Sequence, residues 1–155
     1  MDKYLNLLIN AADKINGSDK IIANTLTRKL KEESIYISFE QFTILNNLWN
    51  EDSLSQCKLA QLTNRDQAST SRLINTLIKN ELIIRQCCSS DKRINRIKLT
   101  DKGILLKEPV LKIVKECLEA AVKGMTEEEI KVGIQFLEKI QNNLIKKCTG
   151  GEKSE

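Results

Sequence analysis

Histidine is absent from this chain of 155 residues. Its absence removes Ser-His-Asp and Cys-His nucleophilic sites, histidine general bases and zinc sites with a histidine ligand. Proline occurs once and glycine six times. With the two strongest breakers of regular structure so scarce, the composition favours a mostly helical chain. The five cysteines (Cys57, Cys87, Cys88, Cys117, Cys148) are odd in number and show no CxxC spacing. A reduced, cytoplasmic setting fits them better than a disulfide framework. No apolar stretch approaches the roughly 18 residues of a spanning helix, so no membrane partner is expected. The opening MDKYLNLLINAADK lacks a basic flank followed by an apolar block and does not read as a secretory signal. No motif of nucleophile, base, metal ligands or cofactor loop stands out, so neither an enzyme nor a bound cofactor or metal is expected.

What the chain does have is an apolar fraction of 41% and a charged fraction of 30%, enough to bury a core. The net charge of +4 is unevenly placed. Residues 54–103 hold ten Lys/Arg against four acids, a net +6, and the rest of the chain carries −2. A local basic field of this kind suits a polyanion, whose condensed counterions are released on contact, or it is a solvated surface that happens to be basic.

Periodicity predicts a helix over 3–33, with Leu8, Ala12, Ile15, Ile22, Leu26 and Leu30 in phase. Asn16-Gly17-Ser18-Asp19 is a weak point. It allows one long helix or two, the second capped by Ser18 or Asp19. Ser38-x-x-Gln41 is a capping box for a helix carrying Phe39, Phe42, Leu45 and Trp49 on one face. Leu54–Thr63 reads as a short helix capped by Ser55, and Asp66 as the N-cap of a helix over Gln67–Lys79. In that helix Thr70, Leu73/Ile74 and Leu77 face inward. Gln67, Ser69, Ser71, Arg72 and Asn75 face outward, without the Glu/Lys pairs that usually solubilise a helix. Residues 82–99 predict a β-hairpin with a polar turn, in which Ile97 and Leu99 point inward and Arg96 and Lys98 outward. Thr100 caps a helix to about Val122, broken or kinked at Pro109, and Gly124 ends it. Thr126-x-x-Glu129 opens a last helix through Leu144 and Ile145. Residues 149–155 read as a disordered tail.

A short helix, a polar turn, a helix with a hydrogen-bonding outer face and a basic hairpin make a winged helix-turn-helix. The second helix fits a major groove, and the hairpin can lie along the backbone with an arginine in the minor groove. The fold class expected is therefore mostly α with a small β-hairpin wing (α+β), flanked by long terminal helices.

On specific residues the sequence resembles the MarR family of bacterial winged-helix regulators. The resemblance rests on Leu59-Ala60-x-Leu62, on Asp66 through Ile74, on Leu77 through Ile83, on Asp91-Lys92-Arg93 and on Leu99-Thr100-Asp101-Lys102-Gly103. Ile37 through Phe42 matches the start of the family's second helix, and the likeness spans roughly residues 20–147. Asn80-Glu81 stands where the family usually has a glycine before the strand, which leaves the tightness of that turn open. The resemblance implies a homodimer on double-stranded DNA, built as residues 1–37 for an N-terminal dimerisation region, 38–103 for the winged domain and 104–148 for C-terminal dimerisation helices. It also implies a transcriptional repressor relieved by a small aromatic effector bound in a cleft between the dimer helices and the winged domain.

The expected DNA contacts are Gln67, Ser69, Ser71, Arg72, Asn75, Lys92, Arg93 and Arg96. The family reading of Arg93 is a minor-groove arginine, and the alternative is an ion pair with Asp91. Tyr36, Phe39, Phe42 and Trp49 are the candidate effector residues, or else plain core. Two other functions stay open. One is a winged-helix interaction module without DNA binding, which would be expected to expose apolar residues on the second helix. The other is a redox sensor built on Cys87 and Cys88. Redox sensors of this family often carry a cysteine in the first helix, and this chain has none before Cys57.

Overall fold

The computed structural model describes residues 2–87 and 95–149. In chain order these form α1 (Lys3–Glu32), α2 (Phe39–Asn50), β1 (Leu54–Ser55), α3 (Gln56–Leu62), α4 (Gln67–Lys79), β2 (Ile83–Cys87), β3 (Asn95–Leu99), α5 (Asp101–Leu105), α6 (Lys107–Ala121) and α7 (Glu127–Thr149). The fold is mostly helical with one small antiparallel sheet, as the sequence predicts. Two compact units divide it, residues 1–117 and 118–155.

In the first unit α1 is one unbroken helix through Asn16-Gly17-Ser18-Asp19, so the weak point does not split it. Only Leu26 and Leu30, near its C-terminal end, are buried. Ser38 and Gln41 form the capping box of α2 reciprocally. The Phe39 N–H also donates to Thr27 Oγ1 at 3.2 Å, tying the start of α2 to α1. Phe42, Ile44, Leu45 and Leu48 of α2 reach the core, where they join Leu59, Ile74, Leu77, Ile83, Ile97 and Val110.

The sheet corrects one expectation. Leu54 and Ser55 form a short strand ahead of α3, and the sheet order is β1-β3-β2. Leu54 pairs with Ile97 and Ser55 with Arg96, so β3 is the central strand. Arg96 Nη1 donates to the Ser53 carbonyl at 2.8 Å, and Asp52 Oδ1 accepts from the Leu99 N–H at 3.0 Å. A two-residue strand has no period to read, and these two side-chain bonds hold it in place.

A second correction concerns the helix after the sheet. It does break, but at Leu106, three residues before the break or kink expected at Pro109. Proline has no N–H to donate to residue 105, and its ring clashes with that carbonyl. The helix therefore stops at Leu105 and restarts at Lys107, which places Pro109 in the first turn of α6, where a missing donor is harmless. Val110, Ile113, Val114 and Cys117 of α6 are buried.

Three helices end in the same way. After α1, α3 and α4 the chain turns through Ser34 (φ 59), Asn64 (φ 51) and Glu81 (φ 61). In each case two backbone N–H groups bond back to the last turn. Ser34 and Ile35 reach Lys31 and Leu30, Asn64 and Arg65 reach Gln61 and Ala60, and Glu81 and Leu82 reach Ile78 and Leu77. These are Schellman caps with a side chain where glycine usually sits. Glu81 thus does what the missing glycine would do, at a left-handed cost of roughly 1–2 kcal/mol. Glu81→Gly should raise stability by about 1 kcal/mol, because the strain relieved exceeds both the added chain freedom and the exposed Lys102 ion pair at 3.6 Å. A higher urea midpoint at unchanged m-value checks it.

In the second unit Gly124 (φ 85) precedes α7. Thr126 and Glu129 complete the expected capping box, with Thr126 N–H to Glu129 Oε2 at 2.7 Å and Glu129 N–H to Thr126 Oγ1 at 3.2 Å. The Thr126 N–H, and Thr126 Oγ1 donating to Glu129 Oε2 at 3.0 Å, hold the Glu129 carboxyl below its ordinary pKa. Val132, Phe136 and Leu144 of α7 are exposed.

Candidate nucleic-acid interface

Local chemistry sets the geometry of α3, the turn and α4. Ser55 caps α3 through the Lys58 N–H. Asn64, in the left-handed region, reverses the chain. Asp66 then opens α4, accepting from the Ser69 N–H at 2.7 Å and from Ser69 Oγ at 2.8 Å. These two bonds stabilise the anion and lower the Asp66 pKa. A depressed carboxyl pKa contributes stability above the unfolded value, and that contribution is lost as pH falls through the folded value. Stability should therefore drop more steeply on acidification below the ordinary aspartate range in the native chain than in Asp66→Ala. Urea midpoints taken across that range would show the difference.

The inward face of α4 is Thr70, Ile74 and Leu77, all buried, with Thr70 Oγ1 donating to the Asp66 carbonyl at 2.9 Å. This anchors the opposite face. Gln67, Arg72 and Asn75 are exposed there, while Ser69 and Ser71 are half-buried. Ser69 is committed to the cap, whereas the Arg72 guanidinium has no partner among the described residues. The exposed face of α4 is polar.

On the sheet, β2 and β3 pair from Ile83↔Leu99 to Cys87↔Asn95. Ile84, Gln86, Arg96 and Lys98 share one face, and Ile83 and Ile97 are buried on the other. Arg85 lies on the inner face at the margin of the core, where its Nη2 donates to Gln56 Oε1 at 3.3 Å in the first turn of α3. Arg96 is tied to Ser53, as above. Lys92, Arg93 and Cys88 lie outside the described residues, as does the side chain of Cys87. Among the described residues no cluster of Cys, Asp or Glu could hold a metal ion, and no helix is long and apolar enough to cross a membrane.

The four candidate effector residues do not gather at one site. Phe39, Phe42 and Trp49 form a chain of tilted rings, with centroids 6.1 Å and 6.4 Å apart. Trp49 Nε1 donates to the Gly103 carbonyl at 2.9 Å, so its polar tip is used inside the fold. Tyr36 stands apart, 70% exposed, on a cavity of about 470 Å³ shared with Lys79, Asn80 and Lys102. Phe39 and Phe42 line a different cavity of about 350 Å³, with Asp19, Asn46, Asn47 and Arg65. Arg65 was not legible as a site residue, since a lone arginine in a polar turn carries no pattern. Its place between Asn64 and the Asp66 cap was the only available signal.

Residues 37–94 match the family model described as the MarR family. Reduced AbfR bound to DNA, a protein of Staphylococcus epidermidis, is similar in fold. It is 23% identical, the match covers 93% of this chain and 98% of that one, and the TM-score is 0.80. A putative MarR family transcriptional regulator from Listeria monocytogenes, complexed with a 26mer DNA, is 24% identical over 93% of this chain and 97% of that one, with a TM-score of 0.78. The transcriptional regulator SlyA is 25% identical over 84% and 93%, with a TM-score of 0.71.

Proposed function

We propose that this chain, whose residues 37–94 match the MarR family model, is a MarR-type transcriptional regulator which binds duplex DNA sequence-specifically as a homodimer and represses until a small ligand releases it. The observation that carries this reading is α4, a helix whose buried Thr70, Ile74 and Leu77 present Gln67, Arg72 and Asn75 outward. An interaction module would instead expose apolar side chains there. Two of the similar proteins were solved on DNA, which supports the same partner here.

In this reading α4 enters the major groove. Gln67, Arg72 and Asn75 meet base edges, Ser71 supports them, and Ser69 acts mainly through the cap. Arg96 and Lys98 of β3, with Lys92 and Arg93, follow the backbone and minor groove. Residues 1–37 and 104–148 supply the dimer contacts and 38–103 the DNA-binding domain. Supporting this, α1 exposes Tyr4, Leu7 and Leu8, and α7 exposes Val132 and Phe136, an apolar load that a helix alone in water would not stabilise. Two-fold symmetry then sets half-sites about 34–36 Å apart. The effector would bind beside Phe39, Phe42 and Trp49 or at Tyr36 and favour a spacing that no longer fits both grooves. The setting is cytoplasmic.

The test is binding of the full chain to its own promoter region by fluorescence anisotropy, alongside sedimentation. A dimer should bind with an affinity that falls linearly in log–log salt plots, at a slope of about −0.9 per phosphate neutralised. A monomer with no salt-dependent binding would overturn the reading.

A further inference from the structure

The cavity lined by Phe39 and Phe42 lies among α1, α2 and the turn ahead of α4. Two of its residues carry opposite charges that no other side chain pairs with, Arg65 partly buried and Asp19 exposed at the rim. Arg65 Nε is buried and donates to nothing, although its backbone N–H is fixed to the Ala60 carbonyl at 2.9 Å. A buried donor without an acceptor costs roughly 1–3 kcal/mol, and native structures leave few of them. Asp19, on the α1 side, has no hydrogen-bond or ion-pair partner among the described residues, and the two do not pair with each other. Between them lie amides with capacity to spare. Asn47 Nδ2 donates to the Thr43 carbonyl at 2.7 Å, which leaves its Oδ1 to accept, and Asn46 is half-buried with an uncommitted side chain. The volume of about 350 Å³ falls within the roughly 300–1,000 Å³ of ligand sites.

Each simple ligand class leaves one of these charges unanswered. A plain carboxylate suits Arg65 but brings like charge to Asp19. A plain amine suits Asp19 but leaves the guanidinium bare. An uncharged apolar molecule answers neither. We propose that this cavity binds a small zwitterion with an apolar body, of the α-amino-acid type, whose carboxylate is taken by Arg65 and Asn46 and whose ammonium by Asp19 and Asn47 Oδ1, with the apolar part against Phe39 and Phe42. The planar fork of an arginine suits a carboxylate, which it takes with two parallel N–H bonds. This ligand class rests on the reading above that the aromatic region holds an effector. Because Arg65 directly precedes the cap of α4, occupancy is felt at the DNA-reading helix.

The experiment is calorimetric titration of the full chain with L-phenylalanine, 3-phenylpropionate and phenethylamine, with operator release read separately by anisotropy. Phenylalanine should bind at least tenfold more tightly than either single-charge analogue. Arg65→Gln should abolish that binding at an unchanged circular dichroism spectrum. Asp19→Asn, on an exposed rim where folding is not at stake, should bring phenylalanine and phenylpropionate to similar affinity. No heat with phenylalanine, equal affinity for all three compounds, or undiminished binding in both variants would overturn the proposal. Phenylalanine bound without operator release would uphold the site and overturn its role as an effector site.

Discussion

Gly103→Ala should lower the thermal midpoint by roughly 2–12 °C. In an ordinary helix the same change stabilises, since alanine exceeds glycine by about 1 kcal/mol in propensity. Here the added Cβ would overlap the Leu82 carbonyl oxygen, and it would also crowd Leu99 Cδ2 at 3.3 Å. The carbonyl cannot step aside, because it accepts the Thr100 N–H at 3.1 Å. Thr100 is itself held from both sides, its Oγ1 donating to the Glu81 carbonyl at 2.6 Å and accepting from the Gly103 N–H at 3.0 Å. Backbone therefore meets backbone, and relief requires α5 to lift off the end of α4. Overpacking of this kind costs about 1–3 kcal/mol or more, and about 1 kcal/mol moves the midpoint by roughly 2–4 °C at this chain length. Lifting α5 also strains the bond from Trp49 Nε1 to the Gly103 carbonyl, so the emission of the sole tryptophan should shift with the midpoint. An alanine variant as stable as the native chain would refute the close approach.

Arg72→Ala should weaken operator binding about 5- to 150-fold while leaving non-specific DNA binding nearly unchanged. A good bidentate contact to a base edge discriminates by about 1–3 kcal/mol, and Arg72 is exposed on α4 with its guanidinium free of intramolecular partners among the described residues. Arg72→Lys separates two kinds of contact. If the arginine reads a base, lysine restores little specificity, because it lacks the planar fork. If it touches only phosphate, lysine restores binding, and alanine lowers the salt slope by about one unit. Arg96→Ala should do less for sequence choice, since that side chain is spent on the Ser53 carbonyl. Competition titrations with operator and scrambled duplexes distinguish these outcomes.

The elements that were legible in the sequence are those whose local chemistry repeats or terminates clearly. The Asp66 cap, the Ser38 and Thr126 capping boxes and the inward set Thr70, Ile74 and Leu77 are each specified within one or two turns of helix. What was not legible depends on distant partners. Leu54-Ser55 is a strand only because β3 lies beside it, and the break at Leu106 depends on where Pro109 can sit without a donor. The site divides in the same way. The exposed face of α4 follows from helical period, so Gln67, Arg72 and Asn75 could be read directly. The separation of Tyr36 from Phe39, Phe42 and Trp49 could not, because Tyr36 stands before the Ser38 cap, in a segment turned by Ser34 in the left-handed region with no glycine to mark it. The unpaired Arg65 and Asp19 meet only in three dimensions.

The sheet order β1-β3-β2 has a consequence for how the chain is made. Its middle strand is the last to be synthesised, and Ser53 meets Arg96 across a separation of 43 residues. Until Leu99 has left the ribosome neither β1 nor β2 has a partner, and Ile83 and Leu54 have nothing to close over them. The helices α3 and α4 that lie between the strands in sequence can form early and pack on α2, but the core they share with Leu54, Ile83 and Ile97 is complete only once the sheet closes. Closing so long a loop slows the step. The sheet side of the helix-turn-helix core is thus the last to close, when β3 takes its place between β1 and β2.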